Sequence, residues 1–368
     1  LESHDVLTNH GGDLDAVWSS EVFRPEFFGD ADPVEHTVTE GRWAHKLRVA
    51  GDQWDNQRRN SYGLMRAPWN NNPSPYVQRF RELSGSPLWN YNDGWPTCKD
   101  HYEVSVAHPT FTEYLARLPG WAHGTVHAVM GGAINPDGRL DRLAALFSEK
   151  DVTNIRGRTP HIPKDMWRKG LVECPDFCDP ETTPLDECRC ACPASQLERS
   201  EWDRDLFELY VGSALNARML GQYSEEDLRK GIEIVCNAGI LVGDEEQSSS
   251  PADPLFWPIH PTIERLYQWK MLNGGFEDDT WPETGNYNSP IYVGTMAMCT
   301  GHNPNDLLPW KLRLGREQQA RSYTNAELRN LIDPSSPEYQ LPYVYDHFQW
   351  KHCAEEGYDF DQIGWRSV

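Results

Sequence analysis

The stretch that decides the fold is HGTVHAVMGG, residues 123–132, in which two histidines stand four positions apart. The apolar residues around them predict a helix, and the pair Gly131-Gly132 predicts its end. Residues four apart on a helix project from the same face, so His123 and His127 can both reach one metal ion. The spacing alone is weak evidence for a site, because such pairs are more often surface or packed histidines.

A second decisive stretch, DPLFWPIHPTIERLYQW, residues 253–269, lies further along the chain. Its apolar and aromatic content predicts one long buried helix that begins near Pro261 or slightly earlier. His260 stands close to the predicted start of this helix. A third imidazole in that position strengthens the case for a metal site.

These two stretches resemble the second copper half-site of the type 3 copper proteins, the family of tyrosinase, catechol oxidase and haemocyanin. The family pattern is H-x-x-x-H closely followed by GG, then D-P-x-F-x-x-x-H and an acid-Arg-Leu-aromatic tail. The resemblance implies that His123, His127 and His260 bind one copper ion as neutral imidazoles on two antiparallel helices. It also implies that Glu264 and Arg265 form a structural ion pair that fixes the second helix.

The resemblance extends to the surroundings of the site, with two departures. Phe256 and Trp257 are expected to keep water away from the metal. Family members usually carry a further histidine where this chain has Ile259. The second and third ligands are also much further apart, because a helical, cysteine-rich insert occupies about 133–250. An insertion between two ligand-bearing helices costs little closure entropy, so the site can survive it.

Type 3 chemistry requires a second copper ion, because each ion supplies one electron to dioxygen. The family places three more histidines upstream, with eight residues between the last two. Here His10, His36 and His45 have that order, although KLRVAGDQWD follows where the family has an apolar helix. His101 and His108 are the alternative pair. A third possibility is that all of these are surface or capping histidines and that the first copper site is incomplete.

With both sites complete, the resemblance implies two copper ions and the oxidation of o-diphenols to o-quinones, with dioxygen reduced to water. The partners would then be dioxygen and a phenolic small molecule. In the family, an Asn after the first histidine is associated with orienting the water that deprotonates monophenols. This chain has Gly124 there. A catechol oxidase-like activity is therefore favoured over monophenol hydroxylation.

A different class of function stays open beside the oxidase. A non-catalytic secreted protein that inherited the fold, with one copper or none, would act as a structural or assembly subunit capable of self-assembly. The acidic composition, the odd number of cysteines and the weak first site suit this alternative. Reversible oxygen carriage is a third possibility that nothing in the sequence favours.

Nine cysteines are present, and five of them fall within ECPDFCDPETTPLDECRCACP, residues 173–193. A Pro-rich, acidic segment of this kind cannot bury a core of its own, so disulfides are the natural way to order it. A zinc site is the competing interpretation, but the spacings do not make two CxxC pairs. Disulfides would imply an oxidising compartment, and the odd total leaves one cysteine free or bonded elsewhere. The five predicted structural cysteines are Cys174, Cys178, Cys188, Cys190 and Cys192.

The 368 residues carry a formal charge of -22, with a pI near 4.9. Such a surface repels nucleic acid and anionic membranes, so neither is expected as a partner. Fifteen tryptophans and 38% apolar residues supply a core. No run of eighteen apolar residues is present, so we expect a soluble, secreted protein whose signal peptide has been removed.

The resemblance implies a mainly α fold, with a tyrosinase-like four-helix bundle core, long irregular disulfide-linked loops and a few short strands. We expect a copper domain over 1–270, including the insert, and a C-terminal extension over 271–368 packed on the same domain. Local patterns predict short helices at 42–49 and 76–83, a helix over 109–130 broken at PGW, and a helix beginning at Ser224. They also predict a polar loop at 243–254 and a short exposed helix at 325–333.

Overall fold

The computed structural model describes residues 17–49, 59–86, 96–168, 170–197, 221–281, 301, 303–316 and 319–362. Helices predominate and strands are few and short, which confirms the predicted mainly α class. The chain divides into two compact units. The first comprises Leu1–Asp5, Gly94–Thr125 and Ile259–Val368, and the second comprises Val6–Asp93 and Val126–Pro258.

The regular elements are these, in chain order: α1 (Cys98–Ala107), α2 (Phe111–Pro119), α3 (Thr125–Gly131), β1 (Ala133–Ile134), α4 (Glu149–Gly157), α5 (Ile162–Arg168), α6 (Ala194–Leu197), α7 (Glu225–Cys236), β2 (Leu241–Val242), α8 (Phe256–Leu272), α9 (Asn325–Ile332) and α10 (Lys351–Glu355). A π-helical turn, Gly120–Gly124, joins α2 to α3. Short 3₁₀ turns occupy Glu21–Phe23, Gly41–Trp43, Arg139–Ala145, Asp244–Glu246, Ser250–Ala252 and Phe360–Gln362.

The core of the first unit is formed by α1, α2 and α8 together with the C-terminal residues. A disulfide joins Cys98, at the start of α1, to Cys353 in α10. The buried side chains of this core are Cys98, Val104, Tyr114, Leu118, Leu266, Trp269, Trp350, Cys353 and Phe360. Residues from beyond 271 thus share one core with the helix that carries His260.

The core of the second unit is built from the 3₁₀ turn Arg139–Ala145, α4, α5 and α7 beside a two-stranded antiparallel sheet. In that sheet Ala133 pairs with Val242, and Ile134 pairs with Leu241. The register brings the segment after α3 against the segment after α7. It thereby places residues 243–246 close to the end of the helix that bears His127.

The predicted disulfides of the cysteine-rich segment are confirmed. Its bonds are Cys174–Cys190, Cys178–Cys188 and Cys192–Cys236, all within the second unit. Because all five cysteines are oxidised, none offers the thiolate that a zinc site would need. With Cys98–Cys353 these bonds indicate an oxidising environment. The ninth cysteine, Cys299, lies outside the described residues.

Several local predictions are confirmed by their capping geometry. The Ser224 side chain accepts a hydrogen bond from the backbone N–H of Asp227 and caps α7, whose first turn is acidic as the helix dipole favours. A capping box between Thr324 and Glu327 starts α9, and this helix buries none of its residues. The predicted break at PGW is instead a π-helical turn, so α2 continues into α3 without leaving a helical path.

Two local predictions are wrong. Residues 76–83 are extended, because their backbone groups bond to distant segments, as in Val77 N–H to Leu47 O and Phe80 N–H to Gly131 O. The predicted helix at 42–49 is reduced to one 3₁₀ turn. The predicted polar loop at 243–254 is confirmed as irregular, but much of it is buried, because Asp244 and Asp253 pair with Arg66 and Arg79 from the other end of the unit.

No helix in the described part of the chain has both the length and the apolar character needed to cross a membrane.

Candidate metal centre

His123 lies on the π-helical turn, where the helix is widened. Its Nδ1 lies 3.0 Å from the backbone oxygen of Pro119. A carbonyl oxygen can only accept, so Nδ1 carries the proton and Nε2 keeps a lone pair. Gly124 makes this contact possible, because a Cβ there would lie 2.7 Å from the same Pro119 oxygen. The local backbone therefore fixes the orientation of the His123 ring.

His260, in α8 of the same unit, faces His123 directly. The two Nε2 atoms are 3.2 Å apart, and the rings are nearly perpendicular at 88°. Two imidazole nitrogens bound to one tetrahedral ion, each at about 2.0–2.1 Å, lie about 3.3–3.4 Å apart. The observed separation therefore fits a shared ion. Without an ion, the same distance is a hydrogen bond in which His260 Nε2–H donates to His123.

His127 follows one turn after His123 in the same helical run, and its side chain is 12% exposed. Its Nδ1 lies 2.5 Å from the backbone oxygen of Glu245 and 3.1 Å from Glu245 Oε2. The proton is again held on Nδ1, which leaves Nε2 as the lone-pair nitrogen. Burial lowers the pKa of His127, so the ring is held in the neutral form that binds metals.

The structure thus brings two of the predicted ligands, His123 and His260, together within the first unit, and His127 lies one turn along the helical run from His123. In two of the three, the second ring nitrogen is already bound to a backbone carbonyl, which is the usual second-sphere arrangement of metal-binding histidines. The donor set, three neutral imidazoles, suits copper and zinc alike. These residues therefore fit a metal ion.

The two aromatic residues predicted to exclude water behave differently. The Phe256 ring packs 6.3 Å from the His127 ring and is partly buried. Trp257 is 60% exposed, and its indole N–H donates to the backbone oxygen of Pro251. Only Phe256 is placed to limit the access of water.

Glu264 and Arg265, predicted to pair with each other, each bind the C-terminal segment 343–350. Glu264 accepts hydrogen bonds from the hydroxyl groups of Tyr343 at 2.5 Å and Tyr345 at 3.0 Å. Arg265 donates to the backbone oxygen of His347 at 2.8 Å and stacks over Trp350 at 4.5 Å. Their contacts fix the C-terminal segment on α8, one turn after His260.

Of the histidines predicted for the first copper ion, two lie within the described residues and one does not. His10 lies outside the described residues. His36 and His45 both have positive φ angles, 55° and 50°, and their rings pack against Phe80 and Tyr76 respectively. The alternative pair lies on and after α1, with His101 buried and His108 at the C-cap.

Within the described residues, a second group of potential metal ligands is Cys98–His352–Cys353, in the first unit. The second group contains the disulfide between its two cysteines, with His352 Nε2 at 3.3 Å from Cys353 Sγ. Bonded sulfurs offer no thiolate, so this group is not a metal site in the oxidised protein.

The sequence did not predict that buried charged groups lie beside His127. Arg66 pairs with Asp244 at 2.7 Å and Arg79 with Asp253 at 2.6 Å, with all four side chains buried. Burial is the main cause that raises the pKa of Glu245 well above its usual value. The one available signal was the acidic run GDEE shortly before the D-P of the second stretch.

Glu246, next to Glu245, contacts a different histidine. Its side chain is 6% exposed, and Oε1 lies 3.2 Å from His161 Nδ1. Burial raises its pKa to about 8. Two adjacent buried carboxyl groups therefore serve two different histidines, of which only His127 belongs to the candidate metal centre.

Comparison of the chain with protein-family models, with curated proteins and with solved structures found no match. The function of the chain therefore has to be inferred from the geometry of the site and from the sequence motifs.

Proposed function

We propose that this chain is a secreted, tyrosinase-like copper protein that binds copper through His123, His127 and His260. The observation that carries the proposal is the 3.2 Å contact between the Nε2 atoms of His123 and His260. The carbonyl that holds His123 Nδ1 supports it, because that contact keeps the proton on Nδ1 and the lone pair on Nε2, the nitrogen that would bind a metal. The four disulfides support the extracellular part of the proposal.

We assign copper rather than zinc because of the resemblance to type 3 copper proteins, since the donor set suits either metal. The same resemblance supports a four-helix bundle in which the run α2–α3 and helix α8 are two of the four helices. Copper, when bound, would supply the electron transfer to dioxygen. The chain itself holds the Nδ1 protons of two ligands and places Phe256 against His127.

The activity proposed is catechol oxidase-like, with an o-diphenol and dioxygen as substrates. It requires a second copper at His10, His36 and His45. Gly124 supports diphenol oxidation over monophenol hydroxylation, because it has no side chain to orient a water molecule.

A non-catalytic structural role with a single copper is the second candidate. It is favoured by the aromatic contacts of His36 and His45, whose rings pack on Phe80 at 4.9 Å and on Tyr76 at 5.4 Å. Rings held in this way would have to leave their aromatic neighbours in order to converge on an ion.

Copper stoichiometry tests the proposal. The full chain is loaded with Cu²⁺, dialysed and measured by elemental analysis and by electron paramagnetic resonance. We expect His260→Ala to lose the signal of imidazole-bound copper, whereas His347→Ala, a change at a half-exposed histidine of the same unit, keeps it. Unchanged copper in His260→Ala would overturn the assignment.

The second measurement separates the two candidate functions. Two copper ions per chain with steady turnover of a catechol support the oxidase. One copper ion without turnover supports the structural role, and the His36→Ala, His45→Ala double variant would then keep the full copper content of the parent chain.

A further inference from the structure

Glu245 lies in the 3₁₀ turn Asp244–Glu246, and its side chain is completely buried. Neither carboxylate oxygen accepts a well-formed hydrogen bond from the residues that the structure describes. A buried carboxylate without strong partners is unfavourable, so its retention at this position calls for a compensating charge.

Two glycines bring this turn against the end of α3. A Cβ on Gly131 would lie 2.8 Å from the backbone nitrogen of Glu246, and a Cβ on Gly243 would lie 1.9 Å from the backbone oxygen of Gly131. The backbone of Glu245 can therefore approach His127 closely enough for a 2.5 Å contact with Nδ1. The carboxylate of Glu245 also lies close to this ring, with Oε2 at 3.1 Å from His127 Nδ1.

We propose that Glu245 is a positioning residue for the metal, holding His127 through Nδ1 and compensating the charge of an ion bound at the opposite ring nitrogen. A carboxylate behind a histidine ligand makes the imidazole a stronger donor and fixes the ring orientation. A divalent ion in turn supplies the positive charge that the buried carboxylate lacks. This inference rests on the proposed metal binding, but not on the identity of the metal or on oxidase activity.

The test substitutes Glu245→Gln, which keeps the shape of the side chain and removes its charge. The full chain is titrated with Cu²⁺ and, separately, with Co²⁺ against a competing chelator. Removing such second-sphere partners lowers metal affinity about 10–100-fold, and we expect that loss here. The metal-free variant should melt at the same temperature as the parent or higher, because Gln fills the same space and adds no buried charge.

Glu246→Gln is the matched control, since it changes the adjacent buried carboxyl group, which contacts His161 instead of a ligand. Its metal affinity should stay within about twofold of the parent. Glu245→Asp is the second variant. It keeps the charge on a shorter stem, and we expect an affinity between those of the parent and Glu245→Gln.

The outcomes separate the two proposals. If the parent chain binds neither metal, the proposed function fails and this inference fails with it. If the parent binds and both Glu245 variants bind equally well, this inference alone is overturned. It is also overturned if Glu245→Gln loses metal affinity only together with stability of the metal-free form, because a merely structural residue would behave in that way.

Discussion

His123 Nε2 lies 3.2 Å from His260 Nε2, although 137 positions separate the two residues in the sequence. Both belong to the first unit, and the geometry of His123 is set within its own helix by Pro119. The contact therefore depends on the short range of backbone between Pro119 and Gly124. Small changes there should alter metal binding without touching a ligand.

Gly124→Ala is the sharpest such change. Its Cβ would meet the Pro119 oxygen at 2.7 Å, so the turn or the His123 ring has to shift. We expect Co²⁺ affinity to fall at least tenfold and the free energy of unfolding to fall by about 1–3 kcal/mol, as for other overpacked sites. A chelator-competition titration and a denaturant titration measure the two effects.

Gly120→Ala is the control for that prediction. It lies in the same π-helical turn, but a Cβ at that position meets nothing within 4 Å. Its affinity and stability should match the parent or exceed it slightly, because Ala favours helix. Equal losses in both variants would show that the contact with Pro119 does not matter.

Much of the candidate metal centre was predictable because it is local. The spacing of His123 and His127 and the long apolar stretch around His260 follow helix periodicity, and α8 indeed spans Phe256–Leu272. The start of α7 was predictable for the same reason, since Ser224 caps its own helix.

The burial of residues 243–254 was not predictable from its composition. The stretch reads as a loop, and it becomes core because Arg66 and Arg79 reach it from more than 170 positions away. No local pattern encodes such a pairing. Glu245 was missed for this reason, although it lies beside a ligand that the sequence identified.

The buried pair Arg79–Asp253 should be indispensable for stability. Both carboxylate oxygens of Asp253 bind the guanidinium, at 2.6 and 2.7 Å, and Oδ1 also accepts from Leu255 N–H. Asp253→Asn leaves the arginine charge buried without its partner, which costs about 3–5 kcal/mol. Denaturant titration measures this loss. Glu226→Gln, which breaks an exposed pair with Lys230, should change stability by less than about 1 kcal/mol.

The disulfide Cys98–Cys353 should contribute more to stability than Cys174–Cys190. The first closes a separation of 255 residues and the second a separation of 16. In the chain-entropy model these correspond to about 5.5 and about 3 kcal/mol. Double Cys→Ser variants, compared by denaturant titration, should therefore differ by about 2.5 kcal/mol. An equal or reversed order would place the effect in native contacts instead of in the unfolded chain.

The pH dependence of the free energy of unfolding should show the effect of the raised pKa of Glu246. Its pKa in the folded protein is raised from 4.5 to about 8, mainly by burial, with Lys164 opposing the shift and Glu245 contributing to it. Below pH 4 the carboxyl is protonated in both states. Between pH 4.5 and 8 the unfolded chain loses this proton while the folded protein keeps it, so the folded state is destabilised as pH rises. Above pH 8 both states are ionised and the penalty is complete.

Glu246→Gln removes this penalty, so its advantage over the parent should be near zero at pH 4, grow through pH 4.5 to 8 and then level off. The shift corresponds to at most about 4–5 kcal/mol at the plateau, reduced by the lost contact with His161 Nδ1. Denaturant titrations at pH 4, 6 and 8.5 measure the difference, in which the titration of the other groups cancels. The exposed Glu355→Gln should stay within about 0.5 kcal/mol of the parent at every pH. A flat difference for Glu246→Gln would mean that this carboxyl group is ionised in the folded protein at neutral pH, as a partner of protonated His161.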